Sequence, residues 1–240
     1  MTTTIPAALA LCLLATQTAC AGSPGGGITL TSDYLFRGLS QTRGNAAVQG
    51  DLHYTTDNGW FLGGFASTVD LNPGRGATIE VDGYLGHAWQ VSNDWNARLM
   101  AVHYEYPNDS PDLPYDYDEL VGALSFQDLV AVTVAWSPNT DGYSLANPAA
   151  PVAINRAAYS VEVAGRWPLI GPLTTAAGAG FRDLNDLFQT SYWYWNAGVG
   201  LEHKHWILDV SYFGTSDQAR RLFGKEIAHD RWSITVAWRL

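Results

Sequence analysis

Cysteine is nearly missing: Cys12 and Cys20 are the only two in 240 residues, and both lie in the first twenty. No disulfide framework is available to the rest of the chain, which suits a polypeptide that must cross an oxidising compartment unfolded. Long apolar runs are missing too. No stretch reaches eighteen residues, which excludes a transmembrane helix. Basic residues are scarce, 13 Lys and Arg against 23 Asp and Glu, for a net charge of -10. That balance argues against nucleic acid as a partner, because phosphate binding needs clustered cations. Charge of either sign makes up only 15% of the chain.

What the chain has instead is glycine and aromatic residues: 24 Gly, 10 Trp and 12 Tyr. Its opening, MTTTIPAALALCLLATQTACA, has an apolar centre from Ile5 to Ala15 and a small-residue site at Ala19-Cys20-Ala21. Residues 1–21 therefore read as a secretory signal cleaved after Ala21, although the stretch before the apolar centre has no Lys or Arg. Cys20 also stands where a lipoprotein acylation site would place it, with Gln17 where Leu is preferred.

Residues 22–240 read as one all-β domain. The last ten residues, RWSITVAWRL, alternate strictly: Trp232, Ile234, Val236, Trp238 and Leu240 on one face, Arg231, Ser233, Thr235, Ala237 and Arg239 on the other. A period of two is the signature of a strand with two unlike faces. Similar runs predict about twelve strands, at 27–40, 45–55, 59–69, 77–89, 95–106, 116–127, 129–137, 157–168, 172–182, 191–203, 205–214 and 231–240. Each is near the length that crosses a bilayer at a tilt. The connections alternate in length. Long ones lie near residues 70, 107, 137 and 215, and short ones at TTDNG, QVSND, QD, PLIG and HKH. Outer-membrane barrels have short periplasmic turns and longer outer loops. The expected fold is thus a single antiparallel transmembrane β-barrel, with strand twelve pairing strand one.

The faces agree with this reading. Val130, Val132, Val134 and Trp136 alternate with Ala131, Thr133, Ala135 and Ser137; Tyr159, Val161, Val163 and Trp167 and then Trp193, Trp195, Val199 and Leu201 continue the apolar set. Trp60, Trp89, Trp95, Trp136, Trp167 and Trp206 fall near strand ends, where an interfacial girdle places indoles.

The segment from Ser32 to Asp70 carries a more specific pattern: Ser32, Asp33, Tyr34, Phe36, Arg37, Gly38, Ser40, Gln41 and Thr42, then Ala47, Gln49 and Gly50. In this it resembles the TorF family of porins, with weaker echoes in ATIEVDGYLGH, at Tyr104, Tyr106 and Pro107, and at Tyr117-Asp118-Glu119. The resemblance implies a single-chain outer-membrane barrel with a channel function. Such barrels usually end in Phe, which the assembly machinery reads; this chain ends in Leu240.

With the apolar face outward, Asp33, Arg37, Asp51, Glu80, Asp82, Arg98, Glu119, Glu162, Arg166, Arg182, Asp209, Arg231 and Arg239 point inward. An arginine on the lipid face would cost about 2–4 kcal/mol at the midplane, which forces that assignment in a barrel. Arg37, Asp82, Arg98, Glu119, Glu162, Arg166 and Arg231 are the pore-lining candidates. Mixed charge in a twelve-stranded lumen predicts a narrow pore for small polar solutes, and the alternative is charges that pair and close it. Outer-membrane lipids, lipopolysaccharide and the barrel-assembly machinery are the expected partners; no cofactor is expected.

Other constellations are weaker. Asp109, Asp112, Asp116 and Asp118 lack calcium-loop spacing and read as a solvated acidic loop. His203 and His205 lack a third ligand and read as a polar turn. A barrel enzyme would need a nucleophile and base at one rim. Asp51 and His53 share a strand face, and His87, His103 and His229 are available, but no nucleophile motif accompanies them, so the chain reads as no enzyme. A soluble ligand-binding barrel would turn the apolar face inward.

Overall fold

The computed structural model describes residues 22–71, 77–109, 115–144 and 152–240. The proposed signal segment, 1–21, lies outside them. Twelve strands close into one antiparallel barrel: β1 (Ser23–Thr31), β4 (Ala47–Thr55), β5 (Trp60–Thr68), β6 (Ile79–Gln90), β7 (Trp95–Glu105), β8 (Tyr117–Phe126), β9 (Val130–Ser144), β10 (Val152–Pro168), β11 (Leu173–Leu184), β12 (Thr190–His203), β13 (Trp206–Thr215) and β14 (Arg231–Arg239). Each pairs with its sequence neighbour, and β14 closes the ring on β1 from Gly27↔Arg239 to Thr31↔Thr235. Closure leaves no free sheet edge, so the backbone hydrogen bonds between strands are satisfied within the wall.

The wall has two faces, as the alternation predicts. On β14, Trp232 is 65% exposed while its neighbour Arg231 is 8% exposed. Val132, Val134, Trp136, Tyr159, Val161, Val163, Trp193, Val199 and Leu201 are exposed, and Ala131, Ala135, Ser137, Ser160 and Ala164 are buried. A soluble barrel would show the reverse. The tryptophans form two belts. Trp60, Trp89, Trp95, Trp167, Trp206 and Trp238 lie at the strand ends joined by short turns; Trp136, Trp193, Trp195 and Trp232 lie toward the other end. Cross-strand partners include Trp206↔Trp238, Phe181↔Trp193 and Tyr212↔Trp232.

Four features differ from the sequence expectation. The first strand ends at Thr31 rather than at residue 40. Residues 32–46 leave the wall and carry a small hairpin of β2 (Leu35–Phe36) and β3 (Leu39–Ser40). Its two turn residues, Arg37 and Gly38, both have positive φ, as a type I′ turn requires. The predicted loop from residue 137 is largely strand, because β9 runs to Ser144 and β10 starts at Val152, with a bulge between Arg156 and Ala158. Residues 145–151 of that connection lie outside the described residues. The connection after β13 is helical, with α2 (Asp217–Phe223) and α3 (Lys225–Ala228), and α1 (Asn185–Phe188) joins β11 to β12.

The alternation of connections holds except between β11 and β12, where only five residues, 185–189, intervene. Those at 56–59, 91–94, 127–129, 169–172 and 204–205 are short and define the turn end. Those at 32–46, 69–78, 106–116, 185–189 and 216–230 define the loop end.

Candidate functional site

The interior of the barrel is the site, and its most informative occupant is the hairpin. Asp33, Tyr34, Leu35, Arg37, Ser40 and Thr42 are all buried. Neither β2 nor β3 pairs with the wall; side chains hold the hairpin inside, with one backbone hydrogen bond from Asp70 N–H, just after β5, to the Gln41 carbonyl at 2.7 Å. At its base, Asp33 accepts hydrogen bonds from Ser40 Oγ (2.5 Å) and Thr42 Oγ1 (2.8 Å), and from Arg231 Nη1 of β14 (2.5 Å). Tyr34 donates to Glu80 Oε1 of β6 at 2.7 Å and meets Phe65 of β5 edge-on. At the tip, Arg37 makes a two-pronged pair with Glu119 of β8, 2.6 Å to Oε1 and 2.8 Å to Oε2. Planar fork-to-fork geometry is the strongest form of this pair. Gly38 is wedged against β12 and β13: a Cβ there would stand 2.6 Å from Tyr194 Cβ and 2.7 Å from Thr215 Cγ2. The hairpin thus reaches across the lumen from β14 to β8.

Aromatic and aliphatic residues fill the space around it. Tyr34, Phe65, Met100, Val102, Tyr104, Tyr106 and Val121 form one buried cluster. Leu184, Leu187, Tyr192, Tyr194, Ala219 and Ala228 form another, beneath the helices of the loop end. Tyr104 stacks on Tyr117 at 4.3 Å.

The turn-end half has a different character. Asp51 accepts from Tyr84 Oη at 2.5 Å and contacts His53 Nδ1 at 2.7 Å, with both acid and imidazole side chains 24% exposed. Arg166 Nη1 pairs with Glu202, and Ser211 donates to Asp209 Oδ1 at 2.6 Å. Arg98 lies 5.2 Å over the Phe61 ring, where a cation meets the negative face of the aromatic.

All seven candidate residues lie inside the barrel, but not as one lining. Arg37, Glu119 and Arg231 hold the hairpin; Asp82 is buried near it on β6. Glu162 sits midway on β10, hydrogen-bonded to Tyr194. Arg98 and Arg166 belong to the turn-end half. Three buried partners were not among the seven: Asp33, Glu80 and Arg182, the last donating to Glu119 Oε1 at 3.0 Å. The acidic loop behaves as polar structure: Asp109 and Asp116 accept the backbone N–H groups of Tyr115 and Tyr106 at 2.9 and 2.7 Å, and Asp112 lies outside the described residues. His205 contacts the Arg239 carbonyl at 3.0 Å, within a turn.

A closed antiparallel barrel of twelve strands, apolar outside and charged inside, is the architecture of outer-membrane porins. The KdgM porin has this fold, with a TM-score of 0.53 at 9% identity, over 90% of this chain and 98% of that one. A structure of KdgM porin in complex with disordered oligogalacturonate gives 0.54 at 9% identity and the same coverage. The NanC porin gives 0.52 at 10% identity, over 89% of this chain and 97% of that one. Residues 17–237 match the family described as bacterial protein of unknown function (Gcw_chp), and the chain belongs to that family. No curated protein matches it.

Proposed function

We propose that the protein is an outer-membrane channel of porin type that passes small polar solutes through a narrow lumen. The observation that carries this reading is the segregation of faces in a closed wall: an apolar exterior between two tryptophan belts, and an interior holding ionisable residues of both signs. An apolar exterior is stable in lipid, and a charged interior is stable only in contact with water or with its own counter-charges. The short turns then face the periplasm and the long connections face outward. The TorF-like opening supports the same reading. His103, Glu105 and Asp118 form an exterior polar cluster at the loop end, with His103 2.9 Å from Asp118 and 3.1 Å from Glu105. Such a cluster fits the headgroup level, where lipopolysaccharide would meet the wall. Insertion would use the barrel-assembly machinery.

Arg98 and Arg166 are the proposed selectivity residues of the turn-end vestibule. Asp51 and His53 are the pair an enzyme would need, yet Asp51 also holds Tyr84, and we read the trio as wall structure.

A planar-bilayer recording tests the proposal. Purified protein gives discrete conductance steps, and Arg98→Ala or Arg166→Ala shifts the reversal potential toward cation selectivity. The docked hairpin favours a second reading, a non-conducting structural barrel. No steps at any voltage would establish that reading instead.

A further inference from the structure

The hairpin is held differently from an ordinary plug. Apart from the Asp70 N–H to Gln41 carbonyl hydrogen bond, which must break for it to move, its contacts with the rest of the barrel are side-chain contacts at separate points, and its own structure is complete without them. Gln41 N–H donates to the Tyr34 carbonyl at 2.7 Å, Tyr34 N–H donates to Thr42 Oγ1 at 3.1 Å, and Asp33 keeps Ser40 and Thr42. Residues 34–42 can therefore move as one body.

The three ionisable wall side chains that hold the hairpin, Glu119, Glu80 and Arg231, each have another partner in the wall or the loop-end helices. Glu119 accepts from Arg37, but also from Arg182 at 3.0 Å and Tyr104 at 3.3 Å. Glu80 accepts from Tyr34, but also from Tyr106 at 2.7 Å. Arg231 donates to Asp33, but also to the Glu226 carbonyl at 2.7 Å. Removing one partner of a buried ion pair is normally costly because the other charge is stranded. Here it would not be stranded. These three side chains keep a partner after the hairpin leaves, while Arg37, Tyr34 and the Asp70 N–H pass to water.

We propose that residues 34–42 are a gate, a rigid hairpin that swings about its base at Asp33 and is latched at its tip by Arg37 on Glu119. Arg182, Tyr104 and Tyr106 are standby partners that hold the wall together in the open state. Two states of comparable free energy are what a switch needs, and doubled partners on the wall lower the cost of the second. The inference rests on the channel reading for its biological use, but the motion can be measured without it.

Two arginines on one carboxylate then have opposite effects. Arg37→Ala removes the latch and raises the open-to-closed ratio roughly tenfold, the worth of a charge-assisted hydrogen bond. Arg182→Ala removes the standby, leaves the docked pair intact, and lowers the ratio by a similar factor. A purely structural role would move both in the same direction. The experiment pairs single-channel open probability with the maleimide labelling rate of Leu35→Cys, a buried hairpin position, in folded protein in lipid vesicles with Cys12→Ser and Cys20→Ser. Faster labelling with Arg37→Ala and slower labelling with Arg182→Ala supports the gate. If those shifts occur without conductance, the gate stands and the channel reading fails. Equal shifts, or no shift, in a conducting protein overturn the gate and leave the channel. Heat-modifiable gel migration confirms that each variant has folded.

Discussion

The two halves of the lumen are built from the same kinds of residue and behave differently. In the loop-end half, the Glu119 side chain is fully buried between two arginines; in the turn-end half, the Glu202 side chain paired with Arg166 is 24% exposed. The difference comes from the hairpin. It brings its own aromatic and charged groups into the loop-end half and displaces water, which raises both the strength of each ion pair and the penalty for breaking one. Near the short turns no described segment enters, and Asp51, His53 and Glu202 keep partial access to solvent, although Arg166 is itself buried against Glu202. Charge pattern along the strands is therefore not what distinguishes a constriction from a vestibule. The segment that fills one half does.

That contrast can be broken at several points. The largest effect is expected at Glu119: Glu119→Ala strands Arg37 and Arg182 together and costs about 3–5 kcal/mol in denaturant unfolding from detergent micelles. Glu202→Ala, the matching change in the turn-end half, costs less, about 1–3 kcal/mol, because buried Arg166 loses a partly exposed partner and keeps Thr174. Comparable losses would show that the two halves are equally dry. A smaller effect is expected at Gly38→Ala, which places a side chain at φ +78 and against Tyr194 and Thr215. Left-handed backbone costs about 1–2 kcal/mol for a residue with a Cβ. Amide exchange over residues 34–42 should accelerate while the wall strands keep their protection; unchanged protection would mean the tip does not fit as described.

The wall was legible in the sequence because a strand has a period of two and only one face of this wall touches lipid. RWSITVAWRL revealed both faces and its place as the closing strand. Loop lengths supplied the two ends. The hairpin was harder to see, because Leu35, Phe36 and Leu39 look like strand residues and the run from Gly27 to Ser40 reads as one long strand. The signals that were present are the two Arg-Gly pairs, Arg37-Gly38 and Arg43-Gly44, all four with positive φ. An Arg-Gly step inside a predicted strand marks a turn, and the alternation lapses on either side of it. The pairing of Arg37 with Glu119 was not legible at all. It joins residues 82 apart in sequence, and nothing local to either position encodes the partner. The same holds for the helices after β13: Asp217–Phe223 is only seven residues long, too short to show a clear helical period.

If residues 34–42 close the loop-end half of the lumen, their removal must open it. The most direct measurement compares the single-channel conductance of the wild-type chain with that of a variant in which residues 34–42 are replaced by a short glycine linker, both shown to be folded by heat-modifiable migration. Conductance several-fold higher in the variant is expected; conductance equal to wild type would mean that the hairpin is not the constriction.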